Sequence, residues 1–438
     1  MFTSAHLLRQ RRFLPLFVTQ LLNAFNDNLF KNAMVLFVVF GVYNSEAAEA
    51  QFSAIASGLF ILPFFVLSAL AGQLADMRDK TKIIRVVKAA EIGIMAVGAI
   101  GLVMAWQMAL VQSVAIPLML LALFAMGIHS TFFGPIKYAI LPQHLKREEV
   151  LAGTGLIEAG TYVAILAGTI IAGYIAVEWA ALAVIVTACI GYWTSLKIPP
   201  APPYEHGQTI DWNILRSSIA LVRNTMHQRE VFYAILAISF FWTIGAVLFI
   251  QFPPLAKNVL MASKEVASLF LVIFSIGVAI GSVAINALLK GDVSARYAPI
   301  SVIAMGIFVA SFYWVCHIWV SEVSGSELMG VAGFLGHPLA PLVIVTLLLI
   351  AITGGMFVVP LYAFLTTKCD PAQAARTVAA NNIVNAGAMV TGSLLAAGLS
   401  GAGVPVVEQL LLSAAMCLVS AWLGHLLVRA EKTALSRV

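Results

Sequence analysis

Apolar residues run along this chain in long stretches broken by short polar connections. Twelve of the stretches reach the ~20 residues that a helix needs to cross the hydrocarbon core of a bilayer. In the first half they fall at 14–42, 53–75, 83–106, 110–134, 150–176 and 179–197. In the second half they fall at 231–256, 264–289, 297–319, 338–366, 376–400 and 405–428. The pattern predicts an all-α membrane protein with twelve transmembrane helices.

Composition agrees. Of 438 residues, 61% are hydrophobic and 10% charged, against about 45–50% and about 25% in a soluble domain. The basic start, Arg9, Arg11 and Arg12, leads into an apolar run too long for the h-region of a cleavable signal peptide. The four cysteines are scattered, with no CxxC or Cys/His spacing, so neither a disulfide framework nor a metal site is expected.

The net charge of +5 is sorted by membrane side, so it does not point to nucleic acid. Alternate connections, beginning with the N-terminus, hold 20 of the 25 Lys and Arg residues. The opposite connections hold Lys257 and Lys264 alongside Glu46, Glu49, Glu178, Glu265, Glu322, Glu327 and Glu408. Basic residues resist translocation, so both termini are expected in the cytoplasm. The longest connection, 198–230, opens with PPAPPYEHGQ and reads as a cytoplasmic linker. It separates an N-terminal six-helix bundle, 1–197, from a C-terminal one, 231–438. The halves echo each other: FFGPIKY and LIEAG near spans four and five resemble FVVPLYA and IVNAG near spans ten and eleven, weakly in identity but at corresponding helices. Two pseudo-symmetric bundles suit a transporter that rocks about a site at the membrane midplane.

Between spans two and three stands GQLADMRDKTK, 72–82. Here the chain resembles the major facilitator superfamily, whose signature in this loop is a G-x-L-a-D run followed by basic residues. Gly72 would allow close helix approach, and Asp76 would face the positive end of a helix from the other half. Arg376, at the start of span eleven, is the expected partner, and the three form a candidate gate. The bland reading is that the charges solvate a loop and set topology.

Charge inside the spans carries more information, because an ionisable group in lipid is normally paired or cavity-facing. Asp27, Lys31, Lys88, Glu91, Lys137 and Glu158 all stand in the first half. Asp27 and Lys31 are four apart on one helical face with Asn23 a turn earlier, a pair that serves either a site or a brace. Lys88 and Glu91, three apart, read equally as a brace. Lys137 follows Gly134-Pro135, where a broken helix is expected to expose backbone to a cavity. Snorkelling to the interface is the alternative. Glu158 lies among glycines and is the candidate proton carrier of a coupled transporter. The second half carries uncharged polar groups, including Gln251, Tyr362, Asn381 and Asn385, with aromatic residues expected to pack or to face lipid. A cavity ionic on one wall and apolar on the other suits a molecule with a zwitterionic or phosphorylated head and a hydrocarbon tail.

Four stretches narrow the resemblance: LLNAFNDNLFKNAMV, GPIKYAILP, GLIEAGTYVAILAG and GGMFVVPLYAFL. Together they resemble the bacterial lysophospholipid transporter family, from span one to span twelve. That resemblance implies a flippase of the inner membrane that moves lysophospholipids such as lysophosphatidylethanolamine from outer to inner leaflet. Reacylation there repairs damaged phospholipid, in functional coupling with a cytoplasmic acyltransferase or acyl–carrier-protein synthetase. It implies substrate-binding roles for Asn26, Asp27, Asn28, Lys31, Lys137, Tyr138 and Glu158. Some members carry an arginine in span seven after a Trp-x-x-Gly pattern. This chain has Phe249 there, leaving Lys31 or Lys137 to meet a phosphate. No enzyme activity and no cofactor are expected: His206 to Asp211 matches an H-x-x-x-x-D spacing inside a linker too short for a catalytic domain, and no P-loop is present. The rival expectation is a proton-coupled exporter of amphipathic small molecules, with Asp27 or Glu158 taking the proton.

Overall fold

The computed structural model describes residues 5–146, 149–203, 210–289, 294–322, 327–367 and 374–435. Twelve helices of nineteen residues or more run among them. They are α1 (Leu14–Gly41), α2 (Glu46–Met77), α3 (Lys80–Trp106), α4 (Ile116–Ala139), α5 (Val150–Tyr174) and α6 (Val177–Ser195), then α7 (Arg229–Asn258), α8 (Lys264–Leu289), α9 (Ala298–Glu322), α10 (Ala340–Thr367), α11 (Ala374–Gly401) and α12 (Val406–Leu435). Each expected span has its helix. Ten are long and apolar enough to cross a membrane by length and composition. The remaining two are α1, whose apolar run is diluted by the asparagine-rich cluster, and α5, whose described apolar part is Ala159–Tyr174. Large apolar side chains such as Leu121, Val163, Ile300, Leu394 and Leu418 are exposed around the helices, as expected where the solvent is lipid rather than water.

Two compact units emerge from the packing: residues 1–37 with 62–217, and residues 38–61 with 218–438. The helices α1 and α2 are therefore shared, their linking hairpin grouping with the C-terminal helices. Pro63 stands inside α2 next to that division, where its missing N–H removes one intrahelical hydrogen bond.

In the first unit α3 packs against α4 and α6. Asp79 caps α3, accepting from the backbone N–H groups of Thr81 (2.9 Å) and Lys82 (3.3 Å). An apolar core of Leu7, Phe13, Leu16, Ile84, Phe133 and Ile140 closes the end that carries the basic connections. Two expectations change here. The Gly134-Pro135 step does not break α4, which continues to Ala139; its cost is the single hydrogen bond that proline cannot donate. The linker also starts as a clamped strip rather than a free tether. Lys80 N–H donates to Ala201 O (3.0 Å), Thr81 Oγ1 to Pro199 O (2.6 Å) and Gln143 Nε2 to Pro202 O (2.8 Å), with Ile198 and Ala201 buried. Beyond it, Ile214–Thr225 forms a helix.

In the second unit α7 packs against α11 and α12, and α9 against α10 and α12. The α8–α10 contact is so close that a Cβ on Gly281 would overlap the carbonyl of Ile352, the close approach that small residues allow between membrane helices. The α1–α2 hairpin is fastened to this unit by the buried Glu49. Its Oε1 accepts from Lys257 Nζ (2.5 Å) and its Oε2 from Asn258 Nδ2 (2.5 Å). Lys257 Nζ also donates to the carbonyls of Val39 and Tyr43, both at 2.7 Å.

Candidate functional site

The polar residues of α1 point several ways, and each direction has a partner in the first unit. Thr19 meets Thr194 of α6 (2.9 Å), Gln20 donates to Ile157 O of α5 (3.2 Å), and Asn32 donates to Thr169 of α5 (3.0 Å). Between them lies the stretch that interrupts the apolar pattern. Asn23 and Asp27 share a face, and Asn23 Nδ2 donates to Asp27 Oδ2 at 3.1 Å. Ser130 of α4 donates to the same oxygen at 2.5 Å. Lys88 of α3 donates to Asn23 Oδ1 at 3.2 Å and pairs with Glu91 one turn along its own helix. Glu91 Oε1 accepts from Asn26 Nδ2 at 2.9 Å, which returns the chain of contacts to α1. His129 of α4 completes the group, its Nε2 lying 3.5 Å from Glu91 Oε2.

This is one connected ionic network across α1, α3 and α4, and it is buried. Lys88, Glu91 and Asn26 have no exposed surface, and Asp27, Asn23 and His129 are buried. Gly191 of α6 makes room for it: a Cβ there would stand 3.0 Å from Lys88 Cε. A buried charge is tolerable only when paired and hydrogen-bonded, and here most of the capacity is met internally. What is left over is specific: among the described residues, Asp27 Oδ1, Asn26 Oδ1 and His129 Nδ1 have no hydrogen-bond partner. A carboxylate oxygen is acceptor-only, so Asp27 Oδ1 can receive an ammonium or hydroxyl proton.

The expected residues thus separate into kinds. Asp27 is buried with one oxygen uncommitted, and Lys31, a turn further along α1, is half-buried and feels the Asp27 charge. Asn28 donates to Ala24 O of its own helix at 2.8 Å and is half-buried. Asn26 is fully buried, its Nδ2 tied to Glu91 and to Val184 O of α6 (3.2 Å). Lys88 and Glu91 are a brace. Lys137 and Tyr138 lie side by side near the end of α4, the ammonium 4.9 Å from the ring centroid. Glu158 is on α5, but its side chain, like that of Arg376, lies outside the described residues. Asp76 is exposed at the end of α2 beside Lys80. A Cβ on Gly72 would meet no described atom within 4 Å.

Two members of the network were not foreseen. His129 and Ser130 sit in MGIHSTFFG, and an imidazole inside an apolar run is as anomalous as a carboxylate there. Among the described residues no cluster of His, Cys, Asp or Glu has the arrangement to hold a metal ion.

The second unit's polar centre is built otherwise. Ser239 of α7 donates to Asn385 of α11 (2.7 Å), Asn385 donates to Tyr362 of α10 (3.3 Å), and Trp242 Nε1 donates to the same hydroxyl (2.7 Å). Phe241 packs its ring against Phe357 beside this group, at 6.0 Å between centroids.

A chain of membrane-length helices with a polar centre in each half is the architecture of a secondary transporter. The sequence profile of the major facilitator superfamily matches residues 16–335, and the chain belongs to that superfamily. It is a multi-pass membrane transporter. The lysophospholipid transporter LplT of Escherichia coli (strain SE11) is 23% identical over 361 residues, 80% of this chain and 79% of the relative. The corresponding Salmonella newport (strain SL254) protein is 24% identical over 365 residues, 81% and 79% of the two chains. Among solved structures, a bacterial homologue of the human lysosomal transporter Spinster, inward-facing and unoccupied, superposes with a TM-score of 0.67 at 14% identity, covering 96% of this chain and 98% of that one. A POT family transporter in complex with 5-aminolevulinic acid gives 0.70 at 11% identity, with 94% of each chain covered. These likenesses establish the fold.

Proposed function

We propose that this protein is a lysophospholipid flippase of a bacterial inner membrane. It moves lysophospholipids such as lysophosphatidylethanolamine from the outer to the inner leaflet by alternating access, with both termini in the cytoplasm. The observation that carries the reading is the network around Asp27: a buried carboxylate held by Asn23 and Ser130, with one oxygen uncommitted, beside the half-buried Lys31. An acid that accepts from an ammonium or hydroxyl and a lysine that meets a phosphate match a zwitterionic lipid head. Asn28, Lys137, Tyr138 and Glu158 complete the head-group contacts, and Asn26 holds α1 in register. The names of the relatives point to the same substrate class. Gly72, Asp76 and Arg376 form the gate at the basic side. Delivered lysolipid is then reacylated by a cytoplasmic acyltransferase or acyl–carrier-protein synthetase.

The test is uptake of labelled lysophosphatidylethanolamine into the inner leaflet of proteoliposomes or spheroplasts, with and without a protonophore. Transport that persists when the proton gradient is dissipated supports the facilitator. Absence of lysolipid movement would overturn it. Loss of transport with the gradient would favour the second reading, a proton-coupled transporter of amphipathic molecules, for which the buried His129 beside Glu91 supplies a proton site.

A further inference from the structure

The helix inside the linker, Ile214–Thr225, has no buried residue, although half of it is apolar. Trp212, Leu215 and Ile219, spaced three and four apart, are exposed by 69%, 72% and 64%. At 100° per residue Leu215 and Ile219 share one face of the helix, flanked by Val222 on one border and by Arg216 and Arg223 on the other, and Trp212 stands two residues before the first turn. Ser217 and Asn224 lie on the far side, together with the half-buried Ile214 and Leu221. A broad exposed apolar face edged by arginines, with a tryptophan at its start, is the pattern of a helix lying in a membrane interface.

Each end is tethered close to a membrane helix. Three residues separate Thr225 from Arg229, where α7 begins, a reach of roughly 14 Å even when fully extended. At the other end, Asp211 N–H donates to Gln73 Oε1 of α2 at 2.8 Å, near the end of that membrane helix at Met77. Asp211 also takes Arg216 on both oxygens, at 2.9 and 3.1 Å, and this fixes the first turn and holds the Asp211 carboxyl below its ordinary range. The helix is pinned by both ends to helices that span the bilayer, on the side that carries the basic connections. Arg223 and Arg229 are exposed there and complement an anionic surface.

We infer that Ile214–Thr225 is an interfacial helix that docks on the phospholipid head-group layer. Leu215, Ile219 and Trp212 enter the acyl boundary, and Arg223 contacts anionic phosphates. This depends on the membrane topology and not on which substrate the protein carries, so it stands or falls independently of the lysolipid reading.

The experiment uses the full chain in nanodiscs, with Cys189 and Cys369 replaced by serine, and a spin label at Ile219→Cys or at Asn224→Cys. The oxygen-to-nickel-chelate accessibility ratio is expected to be about threefold or more higher at 219 than at 224. A label at Leu215→Cys repeats the measurement if the first variant is poorly folded. A water-exposed profile at both apolar positions overturns the inference. So does shielding from both reagents, which would mean a protein covers the face. In nanodiscs of phosphatidylcholine alone, or with Arg223→Glu, the label at 219 is expected to move toward water relative to discs containing phosphatidylglycerol. Indifference to both changes would remove the anionic contact from the proposal.

Discussion

The two units solve the same problem, polar groups inside lipid, with different chemistry. In the first, α1, α3 and α4 share formal charges: Asp27, Lys88 and Glu91 with the imidazole of His129, joined by Asn23, Asn26 and Ser130. In the second, α7, α10 and α11 share a serine, an asparagine, a tyrosine and a tryptophan, all neutral. A neutral network satisfied within itself holds helices together and leaves little field behind. An ionic network in low dielectric leaves a field wherever its charges are not locally matched, and its members are costly to strand. The first unit therefore has the sharper vulnerability, and it is the unit to which the proposed function assigns the ionic head group. The second unit's buried ion pair, Glu49 with Lys257, lies at the end of α7 where it fastens the α1–α2 hairpin, away from that centre.

The largest effect should come from stranding a charge. Lys88→Met leaves Glu91 buried without its cation, and a loss of about 3–5 kcal/mol is expected in the stability of the purified protein. The double variant Lys88→Met/Glu91→Met removes both charges and should recover most of that loss, because the desolvation cost goes with them. Thermal unfolding in detergent measures both. If the double variant were as damaged as the single, the pair would be held by shape and not by charge.

Asp27→Asn separates the site from the brace. The amide keeps the size and the hydrogen-bonding capacity of the side chain, so folding should be close to unchanged. Lysolipid transport should fall about tenfold or more, as expected for a functional charge inside the membrane. Equal transport by the variant would place the head group elsewhere and make Asp27 structural.

In the second unit the matching change is Tyr362→Phe, which deletes the hydroxyl shared by Trp242 and Asn385. The buried Asn385 and the half-buried Trp242 lose their acceptor, a destabilisation of about 1–3 kcal/mol, with transport reduced only as far as folding is. A transport defect as deep as that of Asp27→Asn, in a well-folded variant, would dissolve the distinction between an ionic working half and a neutral supporting half.

Much of this was legible in the residues. Runs of ~20 apolar positions give the helices directly, because the bilayer sets their length. The charges that interrupt α1 and α3 also announce themselves. How they divide the work was not legible. Asn26 and Asp27 are adjacent in sequence, but which neighbour each faces is decided by α3, α4 and α6 crossing α1, and this ties Asn26 to Glu91 and Val184. His129 escaped notice because a lone histidine in an apolar run adds no formal charge, although burial makes its two nitrogens as demanding as a carboxylate. The continuity of α4 through Pro135 and the clamped strip at 198–203 are tertiary outcomes: neighbours supply the contacts that local preference withholds. The linker helix was visible in principle at the spacing of Trp212, Leu215 and Ile219, but the proline-rich opening obscured it.

The smallest expected effect tests whether burial, rather than charge pairing as such, makes the first unit's network matter. Arg12 and Glu149 form a two-pronged pair at 2.7 and 2.9 Å near the basic end of the same unit. The N–H of Lys146 and then the Arg12 guanidinium hold the Glu149 carboxyl below its ordinary value. A depressed acid contributes stability above its unfolded pKa and loses it as pH falls through the folded value, so the contribution is intact at neutral pH and disappears in acid. A pair that is still partly exposed is also screened by salt. Arg12→Gln should therefore shift thermal unfolding slightly at pH 7 in low salt, and the difference from wild type should vanish in 1 M salt or at acid pH. The deficit of Lys88→Met should be indifferent to salt, because ions do not reach a pair without exposed surface. If salt erased that deficit as well, water and ions would have access to the network, and its field would be too weak to select a lipid head.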